Sequence, residues 1–378
     1  MRIGLFVLAA GRGAGGPETY EVELVRALSR VDPDNTYRVY CTSPAAVEAL
    51  GVEAPNMTCH ILRPRSRWIS VLLSLPLALV RDRIDLFHAT YTPPPVALRP
   101  YVFTHHDNSP FDHPEYYNRI VLARLRPLIR IGLAKARRIV CSSEFTRQQT
   151  AQKFAIPLDR MTTIHLGVDE RYRPVDRAAA RRLLSECYGI DAPYFFYVGK
   201  LQRSKNINRL LEAYALVNAR LTNCPPLVLA GKRTEANSEI DVTIARCGLS
   251  GRVHELGYVG DKDLPALYSS ARALVFPSLY EGFGLPVIEA MACGTPVVTS
   301  AVCSLPEVVG NDALLVNPFS VEAIAEAMLR LATDDKLVAR LVSGGLERAR
   351  GFTWTENARR TLEIYRLAHR RHKPECRA

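Results

Sequence analysis

Short apolar runs alternating with amphipathic stretches, twice over, constrain this chain more than any other feature in it. In the first half, RIGLFVLA, TYRVYCT, MTCHIL, DLFHAT, YVFTHHD and RRIVCSS read as strands, several followed by helical stretches. The first run passes through the turn GRGAGGPET into YEVELVRALSRV, where Val22, Leu24, Val25 and Leu28 form an apolar face. The second half repeats the plan with strands YFFYVG, PLVLAG, RVHELGYV, ALVFPS, PVVTS and ALLVNP. Between them stand the helical segments NRLLEAYALVNA, Glu239 to Cys247, DLPALYSSA and LPVIEAMAC, with VEAIAEAMLRLA after the last strand. FTWTENARRTLEIYRLAHR ends the pattern as a long amphipathic helix. Such alternation predicts two α/β domains, each a doubly wound parallel sheet, and 378 residues suit two domains better than one core. Arg171 to Pro174 lacks periodicity and reads as a linker, which puts the domains at 1–174 and 175–355. Sheets of this kind bind ligands outside the strands' carboxyl ends, so the active site is expected in the cleft between the domains.

Composition narrows the setting. The nine cysteines are scattered singly with no C-x-x-C pair, which reads as free thiols in a reducing compartment. The apolar run Ile3 to Ala10 is short and leads into a Gly-rich turn, so it reads as a buried first strand rather than a signal peptide. No stretch reaches the length of a membrane span, and a cytoplasmic protein is expected. The net charge of +11 is uneven: residues 1–190 hold 26 Lys+Arg and 18 Asp+Glu, or +8. No acid interrupts the basic series from Arg119 to Arg138. Arg63, Arg65, Arg67 and Trp68 precede the apolar run ISVLLSLPLALV, which Arg81 and Arg83 close. That pattern fits a face resting on anionic lipid headgroups, and equally a buried helix with solvated charged ends. Nucleic acid is not indicated, since no recognition motif or aromatic stacking pattern accompanies the charge.

The segment PSLYEGFGLPVIEAMAC, Pro277 to Cys293, carries the sharpest chemistry. Seven residues separate Glu281 from Glu289, and Gly282 and Gly284 let the backbone turn sharply toward a ligand. Leu285-Pro286 then opens a helix, and a loop running into a helix N-terminus is a ready anion site. Glu289, inside that helix, is placed to accept from ribose hydroxyls, and Glu281 to reach a sugar. Lys200, Arg203 and Lys205 follow the strand YFFYVG, where cations can meet a diphosphate. Gly15 and Gly16 form the first strand-helix turn, which also suits a dinucleotide fingerprint. His106 ends a strand of the first half and can address a reacting sugar, with His105 pointing to the opposite side. Glu144 opens a helix, where an acid is as readily a dipole partner as a ligand.

These segments, in order, resemble retaining glycosyltransferase family 4. GGPETYEVELVRAL is similar to its N-terminal loop and helix, FTHHDNSPFDHPEYY to its His-Asp segment, and CSSEFTRQQ to its Ser-Glu-Phe-Thr segment. VGKLQRSKNINRLLEAY resembles the phosphate-binding strand-loop-helix, followed by LGYV, the E-x7-E segment and SLPEVVG. The likeness extends nearly end to end and is nearest to bacterial mannosyl- or rhamnosyltransferases of surface-polysaccharide (O-antigen) synthesis. It implies the GT-B fold, with residues 356–378 crossing back to the first domain as a helix. It implies a nucleoside-diphosphate sugar donor, GDP-mannose or a related deoxyhexose donor first among them, held by the second domain. Lys205 becomes the phosphate lysine, with either Lys200 or Arg203 as a second cation. Gly15 and Gly16 bring first-domain backbone to the diphosphate. Gly257 and Tyr258 of LGYV, and Phe283, Gly284 and Leu285, line the donor. His106, Glu281 and Lys205 become the catalytic set. The leaving phosphate assists the acceptor proton, and no metal or other cofactor is expected, since Asp261-Lys262-Asp263 is not in a donor setting. The acceptor is expected to be a polyprenyl-linked saccharide at the inner face of the plasma membrane.

Other readings remain. Transfer from a UDP- or dTDP-sugar to a soluble acceptor uses the same residues, and a hydrolysing epimerase of the same fold would turn over donor without acceptor. An NAD-dependent oxidoreductase wants an acid ending the second strand, but TYRVYCTS ends without one. A sugar- or membrane-binding module without activity sits poorly with intact donor motifs.

Overall fold

The computed structural model describes residues 1–64, 69–191, 193–233 and 238–369. Arg65, Arg67 and Trp68 of the proposed lipid-facing pattern, and the end of the C-terminal segment, lie outside the described residues. The chain forms two compact units: Met1–Gly167 together with the segment from Trp354 onward, and Val168–Thr353.

The first unit is a seven-stranded sheet of β1 (Arg2–Phe6), β2 (Thr36–Cys41), β3 (Met57–Ile61), β4 (Leu86–Ala89), β5 (Tyr101–His105), β6 (Arg138–Cys141) and β7 (Met161–Thr163). The order is β3-β2-β1-β4-β5-β6-β7 and every pairing is parallel. β4 and β5, in the middle of the sheet, are buried at every residue, so they are largely apolar and their polar members are hydrogen-bonded, His88 to Thr104 and His105 to Asn108. The edge strand β7 has only three residues and a polar Met-Thr-Thr sequence, which is why pattern alone does not find it. On one face, Phe6, Tyr40, Phe87 and Phe103 pack with Val71, Leu75 and Leu79 from one connection and Leu125, Ile129 and Leu133 from another. The helix Trp354–His369 packs on the helix Gly16–Val31. It is tied to this unit by Tyr365 on His88 Nδ1 (2.7 Å), Arg137 donating to the Ala368 carbonyl (2.9 Å) and Asn357 to that of His165 (2.7 Å).

The second unit has six parallel strands: β8 (Phe195–Val198), β9 (Leu227–Ala230), β10 (Val253–Gly257), β11 (Ala273–Phe276), β12 (Val297–Ser300) and β13 (Leu314–Val316), ordered β10-β9-β8-β11-β12-β13. Both sheets thus have the Rossmann strand order, reversing beside their first strand. Residues Val168 to Pro174 belong to this unit rather than to a free linker. The Val168 N–H donates to the Phe352 carbonyl (3.0 Å), Arg171 pairs with Asp169 (2.9 Å), and Tyr172 lies edge-on to Tyr268 (5.9 Å). Tertiary partners of this kind leave no periodicity in the sequence. The sixteen-residue helix Asp335–Arg350 is likewise absent from the sequence reading, since Gly344 and Gly345 in its interior argue against a helix. Both glycines are there for approach: a Cβ on Gly345 would lie 3.3 Å from Met291 Cγ, and one on Gly344 only 2.1 Å from Asp312 Oδ1.

Three neighbouring strands, β8, β9 and β10, end on glycines with positive φ: Gly199, Gly231 and Gly257. The Gly199 N–H donates to the Ala230 carbonyl (2.9 Å) and the Gly231 N–H to that of Gly257 (2.6 Å). Gly231 has φ +144°, and a Cβ there would sit 1.9 Å from the Gly199 carbonyl oxygen. Gly13 in the first unit also has positive φ (+64°) but open space around it. Gly231→Ala should therefore destabilise by about 3 kcal/mol or more, from strain and overlap together, and Gly13→Ala by only about 1–2 kcal/mol. Thermal melting of the two variants checks the order.

Candidate active site

In the second unit β8 and β11 are neighbours although some seventy residues separate them in the chain, so the loops leaving their carboxyl ends lie side by side. The β8 loop passes through a short 3₁₀ turn, Arg203–Lys205, to Asn206, whose left-handed backbone (φ 63°) opens the helix Ile207–Arg220. Asn206 Nδ2 donates to the carbonyls of Pro277 (3.0 Å) and Pro318 (2.7 Å), joining the ends of β8, β11 and β13. The Leu279 N–H donates to the Ser204 carbonyl (2.8 Å), closing one loop on the other. Ser304 Oγ lies within hydrogen-bond distance of the carbonyls of Glu281 (2.9 Å) and Phe283 (3.0 Å), fixing the turn. Gly284 takes φ +108°, and a Cβ on it would meet Leu305 at 2.7 Å, so only glycine lets the chain enter the helix Leu285–Ala292.

This framework sets the Lys205 ammonium on Glu281 Oε1 and 5.6 Å above the Phe276 ring, at the mouth of the Leu285 helix. The two residues assigned separately from sequence, one to phosphate and one to sugar, are thus an ion pair, both largely sheltered from solvent. Cation, carboxylate and helix N-terminus together form a corner whose chemistry suits an anion bearing hydroxyl groups. Lys200 and Arg203 are both exposed at the same sheet edge, and geometry alone does not choose between them as second cation. Gly257 ends β10, and Tyr258 after it is 62% exposed, with Lys232 Nζ 4.9 Å from its ring centre.

Glu289 lies more than a turn into the helix and is buried. Tyr268 donates to its Oε2 (2.8 Å). Burial pushes its carboxyl up to about 7, against the Tyr268 hydrogen bond and Arg171, while Asp261 and Asp169 push the same way as burial. Sequence reasoning did not anticipate Tyr268, which the short helix Leu264–Ser270 brings against Glu289.

In the first unit, the Gly-rich loop is held from within. Glu21, fully buried, accepts from the N–H groups of Leu8 (3.0 Å), Ala9 (2.6 Å) and Ala10 (3.0 Å). Glu18 accepts from Gly11 (2.7 Å), Arg12 (3.2 Å) and Ala14 (2.6 Å). Six loop donors are therefore engaged by two carboxylates of the following helix. The backbone offered to a ligand narrows to Gly13 and to Gly15 and Gly16 at the helix start, with Gly15 at φ 75°. The signal for this was present: acids in the first turns of a helix reach back to the loop before it.

His106 is half-buried. Its Nε2–H donates to the Thr90 carbonyl (3.0 Å), and its ring stands edge-on to Tyr20 at 4.7 Å. Burial lowers its pKa to about 4, so at neutral pH it is uncharged and Nδ1 is its acceptor. Its carbonyl receives Ser142 Oγ (2.9 Å) and Thr146 Oγ1 (3.2 Å), which gives the Ser-Glu-Phe-Thr segment a supporting role. His105 is buried on the other side with Nε2 on Asn108 Oδ1 (2.8 Å). Glu144 accepts from Thr163, Gln148 and Arg147 and is a structural residue. His88, fully buried, links Tyr365 to Thr104 (2.7 Å to each), and Thr104 is 2.9 Å from the Tyr20 hydroxyl.

Two doubly wound sheets of Rossmann order, each in its own compact unit, define a fold of the GT-B type. Residues 14–172 match the family described as Glycosyltransferase Family 4, and residues 188–348 match Glycosyl transferases group 1. The chain belongs to glycosyltransferase family 4. It is 36% identical over 289 residues to O-antigen chain mannosyltransferase B of Escherichia coli, covering 76% of either chain. It is 33% identical over 232 residues to the serotype-specific mannosyltransferase WbdA of Escherichia coli, covering 61% of this chain and 28% of that one. The crystal structure of Anabaena Alr3699/HepE in complex with UDP and glucose shares the fold, with a TM-score of 0.79 at 20% identity over 97% of this chain and all of that one.

Glu289 has an acid pKa raised above the unfolded value. Its stabilising effect is fully present while the group is neutral, below about 4.5, and is lost as pH rises through about 7. Glu289→Gln keeps the Tyr268 hydrogen bond and removes the charge. It should be more stable than wild type near pH 8 by on the order of 3 kcal/mol, the gap closing below about pH 5. Melting curves across that range check it.

Proposed function

We propose that the chain transfers mannose from GDP-mannose, with retention at the anomeric carbon and without a metal, to a saccharide acceptor in O-antigen-type polysaccharide synthesis. The single observation behind this reading is the Lys205–Glu281 pair at the mouth of the Leu285 helix, with Glu289 in that helix. The mannosyltransferase relatives support the choice of sugar. The acceptor is polyprenyl-linked, and the enzyme works on the cytoplasmic face of the membrane. Among the described residues no helix is long and apolar enough to cross one.

In this mechanism Lys205 exchanges Glu281 for the donor diphosphate, which frees the Glu281 carboxylate for the sugar hydroxyls. The Leu285 helix terminus and Lys200 or Arg203 share the remaining phosphate charge, so the countercharge comes from the protein. Glu289 accepts from the ribose hydroxyls through the oxygen that Tyr268 leaves open, and the backbone at Gly257-Tyr258 meets the base. The bond between the anomeric carbon and phosphate oxygen breaks as the acceptor oxygen bonds to the same face. The acceptor proton passes to the departing phosphate. His106, neutral and held by Thr90, accepts a sugar hydroxyl at Nδ1 and orients the reacting ring.

Charged hydrogen bonds are worth about 1.5–3 kcal/mol, so Lys205→Ala and Glu289→Ala should each weaken GDP-mannose at least about tenfold by calorimetry. Unchanged binding in a folded variant defeats the assignment, and preference for a UDP- or dTDP-sugar in the same titration replaces the donor. His106→Ala should lower kcat more than it raises KM, with His105→Ala milder in turnover. A chelator should leave turnover intact, and NMR of the product should show the anomeric configuration of the donor.

A further inference from the structure

The apolar run after Trp68 is neither wholly core nor wholly solvated. From Ile69 to Val80 the chain makes one turn of π-helix, Ser70–Ser74, and then the α-helix Leu75–Arg81. Ser70, Val71, Leu75, Pro76, Ala78 and Leu79 are buried against the sheet. Facing out are Ile69 (42% exposed), Leu72 (46%), Leu73 (62%), Leu77 (67%) and Val80 (42%). The wider π turn, in which the Leu75 N–H reaches the Ser70 carbonyl, places Leu72 and Leu73 outward together. No charged residue interrupts this outward row. Solvated helices carry charges there, and a contiguous apolar row marks a contact surface.

Its surroundings select the partner. Ser70 Oγ and Ser74 Oγ donate to the carbonyls of Pro64 (3.0 Å) and Arg63 (2.8 Å), fixing exposed Arg63 beside the first turn. Exposed Arg83 stands past the last turn. Arg81 is matched by Asp82 (2.8 Å), so among the described residues Arg63 and Arg83 are the cations left at the two ends. The helix Arg119–Lys135 packs in the same core cluster, on the same face of the sheet, and exposes Ile120, Val121, Arg119 and Arg124. Arg126 of that helix turns inward instead, to the Pro110 carbonyl (2.7 Å) and the Phe111 ring, so the basic series is not one solvated stripe.

We propose that the outward face Ile69-Leu72-Leu73-Leu77-Val80 enters the headgroup–acyl boundary of an anionic membrane, with Arg63 and Arg83 on the lipid phosphates. A row too short to span, apolar toward lipid and cationic at its ends, is built to lie in that boundary. The inference deepens the reading of the chain as a transferase with a membrane-borne acceptor. It makes apolar insertion, rather than the Arg119–Arg138 charge alone, the anchor.

The test is flotation with phosphatidylglycerol–phosphatidylcholine vesicles, at physiological and high salt. Wild type should float at both, more weakly at high salt. Leu73→Lys/Leu77→Lys adds positive charge while removing apolar contact, and should lose at least about tenfold in partitioning. Arg63→Glu/Arg83→Glu should lose only the salt-sensitive part. Val242→Glu, at an exposed apolar position of the second unit, should float as wild type does. If the double-lysine variant floats as well as wild type, the proposal is wrong. It is equally wrong if wild type stays off vesicles and sediments as a dimer that the lysines disperse. All of these substitutions are at exposed positions, and equal melting temperatures confirm folding. GDP-mannose titration of the double-lysine variant should match wild type; a wild type that floats without binding GDP-mannose removes the donor reading and leaves the membrane face standing.

Discussion

The site in the second unit depends on β8 lying against β11, at the point where the strand order reverses. Two loops distant in sequence leave that edge together, and every contact of the corner follows from their adjacency. Asn206 makes the adjacency rigid, since one side-chain amide in a left-handed turn serves two backbone carbonyls from other strand ends. Buried carbonyls must find donors, so a side chain that supplies two of them at once fixes three strand ends with few degrees of freedom. Lys205 and Glu281 meet because their loops cannot do otherwise.

Buried carboxylates serve opposite ends in the two units. Glu21 is raised to about 7 by burial, yet it accepts from three backbone N–H groups and has a threonine hydroxyl beside it. It is a strut whose hydrogen-bonding capacity is filled. Glu289 is raised as far by the same cause, with Tyr268 on one oxygen. A buried acid with capacity left over is poorly placed for stability and well placed for binding, because a ligand hydroxyl completes what folding left incomplete. Access, rather than filled capacity, separates His105 from His106. Each Nε2 has one partner, Asn108 for His105 and the Thr90 carbonyl for His106, but His105 is shut inside the core while His106 is half-buried.

Much of the architecture was legible in the chain. All six expected strands of each half are present; the central ones, buried along their length, are largely apolar and signal themselves most clearly. Among the elements missed were β7, too short and polar to signal itself, the helix Arg177–Tyr188, and the helix Asp335–Arg350, masked by a glycine pair that permits close packing. The role of Arg171 to Pro174 was also hidden, since an ion pair and an edge-on tyrosine contact have no period. Glu18 and Glu21 could have been read from their place in the first turns of a helix.

The sequence by itself determined the two-sheet plan, the family, and the residue types of the Lys205–Glu281 corner, because periodicity, glycine spacing and the E-x7-E pattern are local properties of the chain. Only the tertiary structure decided that Lys205 and Glu281 are partners and that Tyr268 holds Glu289. It likewise decided that two glutamates engage six N–H groups of the Gly-rich loop, and that the run from Ile69 to Val80 divides into a core face and an outward face. Those facts depend on which strand lies beside which and on which side of a helix meets the sheet. Distances between residues far apart in sequence are created by packing, and no local pattern encodes them.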